Sequence, residues 1–335
     1  MSAPSVTAAG TAWVVLPAHR TWPAVAARRI GERAVQTIGA QQWLDAPGYT
    51  LEHGLALTFA LLRSAGRPLQ DLLHGTWLGH PLHPALTDVP LGAWTAALAL
   101  DGVDLLSARP PGFRQAAQTA VGFGIVGGVG AALTGVTDWQ HTHEQARRTG
   151  LVHGALNTVG LALFVLSWQD RRAGRLARGR LAGAAGYGLG LASSYLGGAL
   201  VFRHGLGVDH GSRTDRPADF TAVLPDGQLE ADAPRRVPCG ADGVVLVRHA
   251  GEVVAVGDRC PHLGAPLGEG WVYRDGLVCP WHGSIFDLHT GEVVRGPAVA
   301  PLARYQTRER EGQIEVRPGP AEATSEPGRA NGARP

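Results

Sequence analysis

The sequence predicts a multidomain chain, a four-helix transmembrane α-helical bundle followed by a small all-β domain. Three observations carry that reading. Between residues 85 and 202, long apolar stretches alternate with short polar loops. Beyond residue 217 the pattern changes to short β-branched runs separated by Asp-Gly, Gly-Glu and Glu-Gly turn signals. Inside that second part, two loops each hold one Cys close to one His. A length of 335 residues suits two or three domains. The expected boundaries are 1–75 for a peripheral helical region, 76–210 for the bundle, 217–318 for the β domain and 319–335 for a tail rich in Ala, Glu, Gly and Pro.

In the first region, Thr21–Gln42 has helical spacing with several Arg, and Gly54–Leu62 is an apolar run below spanning length. Four stretches then follow, Ala85–Leu106, Ala116–Val136, Leu151–Trp168 and Leu181–Phe202. Each is near the ~20 residues that an α-helix needs to cross a bilayer. A soluble bundle would show charged faces every 3.6 residues, yet the only charges inside the four are Asp88, Asp101 and Asp104. Glycines crowd the second and fourth stretches, as close backbone packing in membranes favours. Trp94, Trp139, Trp168 and Tyr195 fall near segment ends as interface anchors would. Residues 1–25 lack a charged n-region followed by an apolar h-region, so the first helix is expected to direct insertion.

Four crossings would put His80, His83, His141, His143, His153 and His204 at one face, with Arg109, Arg114, Arg171, Arg172, Arg175, Arg178 and Arg180 at the other. Two readings of the histidines stand side by side. They could bind haem or a metal, with His80, His83, His153 and His204 the candidates and Asp88 or Asp101 orienting imidazoles. They could equally cap helices and bond carbonyls at the membrane interface.

In the β domain, strands are expected at Gly243–Arg248, Glu252–Gly257, Trp271–Tyr273, Gly276–Val278, Glu292–Val294 and Gln313–Arg317. Between them lie Cys260-Pro-His262 and, sixteen residues later, Cys279-Pro-Trp-His282. Two thiolates and two imidazoles suit a [2Fe–2S] cluster in which His₂ replaces Cys₂ on one iron. A closed Cys₂His₂ zinc site is the alternative, although such sites usually pair Cys with Cys and His with His. The stretches Cys260–Gly270 and Cys279–Asp287, continued by Thr290–Pro297, Pro301-Leu302 and Tyr305, resemble the cluster-binding loops of Rieske proteins. That resemblance covers roughly 217–318. It implies Cys260, His262, Cys279 and His282 as cluster ligands, with the Ser284 hydroxyl tuning the cluster. Rieske proteins of respiratory cytochrome complexes carry an extra Cys in each loop and a Tyr two residues beyond the Ser. Here those positions are Ala265, Trp281 and Phe286, which implies the ferredoxin type, toward the low end of a range of about −150 to +300 mV. Rieske oxygenases add a large domain after the cluster. Only about seventeen residues follow the last expected strand, so the chain is expected to pass an electron without activating oxygen itself.

Gly79-His-Pro-Leu-His-Pro84, with Asp88–Trp94 and Gly135–Trp139, resembles an uncharacterised family of small four-helix membrane proteins, some fused to Rieske domains. The expected function is therefore a membrane-anchored Rieske electron carrier. The alternatives are a subunit of a quinol or haem oxidoreductase and a redox sensor. Partners would be the bilayer and a redox protein or quinone, with the Rieske domain on the cytoplasmic side of the cell membrane. Residues 1–216 hold eighteen Arg against twelve acids, and 217–318 hold ten against fourteen. An acidic redox domain favours a basic partner; nothing in the sequence suggests nucleic-acid binding.

Overall fold

The computed structural model describes residues 23–106, 112–211, 219–239 and 243–319. Arg109, residues 1–22 and the tail from residue 320 lie outside them. Among the described residues the first part contains seven α-helices rather than four. Three shorter ones come first: α1 Pro23–Gly39, α2 Asp45–Leu61 and α3 Gly66–His74. The long ones follow: α4 Leu82–Leu106, α5 Gly112–Trp139, α6 Glu144–Arg172 and α7 Leu176–Phe202. Of these, α4, α5 and α6 are long and apolar enough to cross a membrane. The fourth, α7, is not among them.

Small residues set the spacing of the long helices. Trp94 of α4 stacks on Phe164 of α6 at 3.8 Å between ring centroids and 8° between planes. A Cβ at Gly124 of α5 would overlap the Trp94 indole, so only glycine fits there. Where α6 meets α7, a Cβ at Gly186 would lie 3.0 Å from the Gly160 carbonyl oxygen, which marks backbone contact between the two helices. Around Trp94 the buried core is Ala97, Ala117, Val121 and Phe164.

Two of the three charges inside α4, Asp101 and Asp104, are paired across helices, and Asp88 is exposed. The Arg171 guanidinium forks onto Asp101, with one arm at 2.8 Å, and its Nε donates to Ser167. Arg180 donates to both Asp101 and Asp104, and Arg114 reaches Asp104 at 2.9 Å. Asp101 therefore orients guanidinium groups rather than imidazoles. Within the helical part, Asp138 at the end of α5 does meet an imidazole, that of His74.

The second part is β-rich. Its strands are β1 Thr221–Pro225, β2 Arg235–Val237, β3 Val244–His249, β4 Glu252–Gly257, β5 Trp271–Tyr273, β6 Gly276–Val278, β7 Ile285–Asp287, β8 Val293–Arg295, β9 Arg304–Arg310 and β10 Gln313–Pro318. They form a six-stranded sheet in the order β1-β10-β9-β4-β3-β2 and a four-stranded sheet in the order β5-β6-β7-β8. All neighbouring pairs are antiparallel. The run Val244-Val-Leu-Val247 is wholly buried, and its period-2 alternation supplies two cores. Val245 and Val247 pack with Leu277, Phe286 and Leu288, whereas Val244 and Leu246 pack with Val237, Ile314 and Val316. The first of these cores also contains Cys260 and Cys279.

Candidate metal centre

Two loops with the same hydrogen-bond pattern bring the sulfur and nitrogen atoms together. In the loop after β4, Cys260 N–H donates to Ala265 O at 2.9 Å and Gly264 N–H returns to Cys260 O at 2.8 Å. In the loop after β6, Cys279 N–H donates to Ser284 O at 2.8 Å and Gly283 N–H returns to Cys279 O at 3.1 Å. Each loop so closes a tight circuit with a positive-φ glycine, Gly264 at 74° and Gly283 at 69°, where a side chain would be strained. The β-sheets hold both loops from below: Cys260 and Cys279 are each only 1% exposed.

The two thiols lie within hydrogen-bonding reach of each other. Cys260 sulfur also accepts the backbone N–H groups of His262 and Leu263, and Cys279 sulfur accepts those of Trp281 and His282. The bond from Cys260 pulls the Cys279 thiol down to about 7, and the same bond together with burial pushes Cys260 up. Two thiolates packed this closely call for cationic charge between them, as iron supplies. The His262 and His282 rings are 5.0 Å apart and nearly perpendicular, at 87°. Burial, with His282 alongside, lowers His262 to about 3; burial, with His143 alongside, lowers His282 to about 4. Both imidazoles are neutral at pH 7 and available as ligands. The donor set of two thiols, N–H groups aimed at sulfur and two neutral imidazoles fits a [2Fe–2S] cluster with mixed ligation.

Ser284 is fully buried, and its oxygen accepts the Ala298 N–H at 3.0 Å. This leaves one hydroxyl hydrogen to donate. Phe286 is fully buried in the core beside the cysteines, Ala265 is buried and Trp281 is exposed. The third cysteine, Cys239, lies in the other core.

Against the imidazole edge sits the helical domain. His141 approaches the His262 ring at 5.6 Å and the His282 ring at 5.3 Å between centroids. His143 stacks on His282 at 5.3 Å and 20°, with the two Nε2 atoms 3.1 Å apart. Behind His141 lies His74, 5.4 Å away, whose Nδ1 is 2.7 Å from Asp138 Oδ1. His74 ends α3, where Gly75 in the left-handed region caps the helix. Sequence reasoning missed His74, which falls in the region read as peripheral.

The other predicted histidines stay apart from this group. Nδ1 of His83 bonds Ala131 O, Nδ1 of His153 bonds Ser193 O and exposed His80 bonds Pro81 O. His83 and His153 are neighbours at 6.4 Å, but His204 Nε2 is buried without a partner. Among the described residues no three His, Cys, Asp or Glu converge on one metal ion. Of the four candidates for a second site, His80, His83 and His153 each bond a backbone carbonyl through Nδ1.

Both parts of the chain match known families. Residues 219–306 match the Rieske [2Fe-2S] domain, and residues 79–210 match a predicted membrane protein family, DUF2231. The 3-phenylpropionate/cinnamic acid dioxygenase ferredoxin subunit of Photorhabdus laumondii is 36% identical over 94 residues, 28% of this chain and 84% of its own length. The anthranilate 1,2-dioxygenase ferredoxin subunit of Burkholderia cepacia is likewise 36% identical, over 28% of this chain and 85% of its own length. The chain belongs to the Rieske [2Fe–2S] family, whose ferredoxin members carry electrons. Human apoptosis-inducing factor 3 is 38% identical over 29% of this chain, which spans only 16% of that protein's length. Among solved structures, the ferredoxin of carbazole 1,9a-dioxygenase from Nocardioides aromaticivorans is 28% identical with a TM-score of 0.29, covering 30% of this chain and all of that one.

Proposed function

We propose that this protein is a membrane-anchored one-electron carrier, with Cys260 and Cys279 holding one iron of the cluster, His262 and His282 the other, and Ser284 in the surrounding hydrogen-bond network. The observation that carries the reading is the matched loop pair that gathers two buried thiols and two neutral imidazoles. When bound, the cluster supplies a reversible one-electron centre at its imidazole-ligated iron. The chain's own residues prepare the site. Backbone N–H groups of His262, Leu263, Trp281 and His282 favour the thiolates. Burial keeps both imidazoles unprotonated, and Leu267, Leu277, Phe286 and Leu288 shield the sulfur side from water.

The division 1–75, 76–210, 217–318 and 319–335 fits this function as peripheral helices, anchor, redox domain and tail. Helices α4, α5 and α6 support a multi-pass anchor in the cell membrane, with the Rieske domain on the cytoplasmic side. The donor or acceptor is a redox protein or a quinone. A second reading, a subunit of a membrane quinol or haem oxidoreductase, gains support from one observation: the ligand imidazoles meet the helical domain rather than a free surface. Membrane fractionation with iron and acid-labile sulfide analysis tests the proposal. It expects about two irons and two sulfides per chain, in the membrane fraction. One zinc with no sulfide, or a fully soluble chain, would overturn it.

A further inference from the structure

Nδ1 and Nε2 are the two nitrogens with which an imidazole can bind iron, and in His282 the choice is constrained. Its Nε2 lies 3.1 Å from Nε2 of His143, at hydrogen-bonding distance, which leaves Nδ1 for a metal. A neutral imidazole bound through Nδ1 carries its hydrogen on Nε2. Nε2 of His143 is then the acceptor, and His143 holds its own hydrogen on Nδ1.

The position of His143 is fixed from several directions. It is the N-cap residue of α6, with extended backbone and no cap bond from its side chain, so the ring is free to face the Rieske domain. The loop before it is tied down: Thr142 Oγ1 donates to Trp139 O at 2.7 Å, Arg147 Nε to Thr142 O at 2.9 Å and Trp139 Nε1 to Arg147 O at 2.9 Å. Arg147 pairs with Glu52 of α2 at 2.8 Å and lies 4.3 Å over the Tyr49 ring. Two further bonds hold the domains in register, His210 N–H to Pro261 O and Gly296 N–H to Asp71 Oδ1, both at 2.9 Å. A braced loop, with Gln140, Thr142 and Arg147 buried behind an exposed His143, is how an outer ligand partner is held in place.

We infer that His143 of the helical domain is a positioning and tuning residue for the cluster, accepting the Nε2–H hydrogen bond of the ligand His282. The inference rests on the ligand assignment proposed above. A hydrogen-bond acceptor on the outer nitrogen makes a ligating imidazole more basic, and a more basic ligand favours the oxidised iron. His143 therefore lowers the reduction potential. The helical domain is in this way part of the redox centre as well as its anchor, and a partner reaching the His282 edge meets the α5–α6 loop first.

The experiment uses full-length, cluster-loaded protein in detergent, with wild type, His143→Ala and His143→Gln compared by redox titration and by pulsed EPR of the remote ligand nitrogen. Loss of the acceptor in His143→Ala is expected to raise electron affinity by up to about tenfold, ~59 mV for one electron, and to change the remote-nitrogen coupling. His143→Gln, whose amide oxygen can accept the same bond, is expected to return both readouts toward wild type. Equal potentials and couplings in all three proteins would overturn the inference. So would loss of the cluster from both variants, since that assigns His143 a structural role. Absence of the cluster from wild type would instead remove the ligand assignment on which the inference stands.

Discussion

Replacing Arg171 tests how the helical part stores its stability. Its guanidinium is 2% exposed and Asp101 opposite is 7% exposed, so neither charge has water to fall back on. Arg171→Met removes the forked pair to Asp101 and the bond to Ser167, leaving Asp101 with Arg180 Nε at 3.2 Å. Breaking a buried pair from one side typically costs about 3–5 kcal/mol, because the remaining charge stays buried. For a unit of this size each kcal/mol lowers Tm by roughly 2–4 °C, so the variant should melt about 6–20 °C below wild type. Asp101→Leu strands Arg171 and should cost about as much. The double variant Arg171→Met/Asp101→Leu removes both charges, and its loss should be clearly smaller than the sum of the two single losses. Thermal unfolding of the helical signal by circular dichroism in detergent reads all four proteins. Single losses under about 2 °C, or a double variant whose loss equals the sum, would refute the buried-pair argument.

Further outcomes follow from the β domain. His282→Cys should lower the potential of whatever cluster assembles, because a thiolate adds negative charge at the reducible iron; redox titration reads this, and a raised potential contradicts it. Phe286→Tyr should raise the potential if its hydroxyl reaches sulfur. Phe286 is fully buried, so the added atom should also cost about 1–3 kcal/mol of stability, and a stability loss without a potential shift would show that the hydroxyl points elsewhere. His249 is raised above its usual value by hydrogen bonds to Asp232 and Asp275. Its contribution to stability should be complete below about pH 6.5 and lost as pH rises through the raised folded value. His249→Ala should flatten that part of a Tm-against-pH curve, and an unchanged slope would contradict the pairing.

Much of this was legible from local pattern. The Cys-x-His and Cys-x-x-His loops announce themselves because ligand spacing is a local property, and the runs at 244–247 and 253–256 are short, apolar and rich in β-branched residues, as buried strands are. Strand β9, Arg-Tyr-Gln-Thr-Arg-Glu-Arg, escaped because its side chains are largely solvent-facing and its identity rests on pairing with β4 and β10. The charges Asp101 and Asp104 were visible, but their partners Arg171 and Arg180 come from other helices, and only packing joins them. The histidines show the same boundary. Sequence order grouped six at one face and favoured His80, His83, His153 and His204, whereas docking of the two domains selects His141, His143 and the unsuspected His74. Contacts between distant loops leave no periodic trace in the chain.

The central claim, mixed Cys₂His₂ ligation of a two-iron cluster by Cys260, Cys279, His262 and His282, is tested most directly by EPR of the dithionite-reduced full-length protein. A rhombic signal with an average g well below that of all-cysteine [2Fe–2S] clusters, lost in Cys279→Ser and His262→Ala, is the predicted result. A signal with the higher average g of all-cysteine ligation, or one that survives both substitutions, would contradict the account.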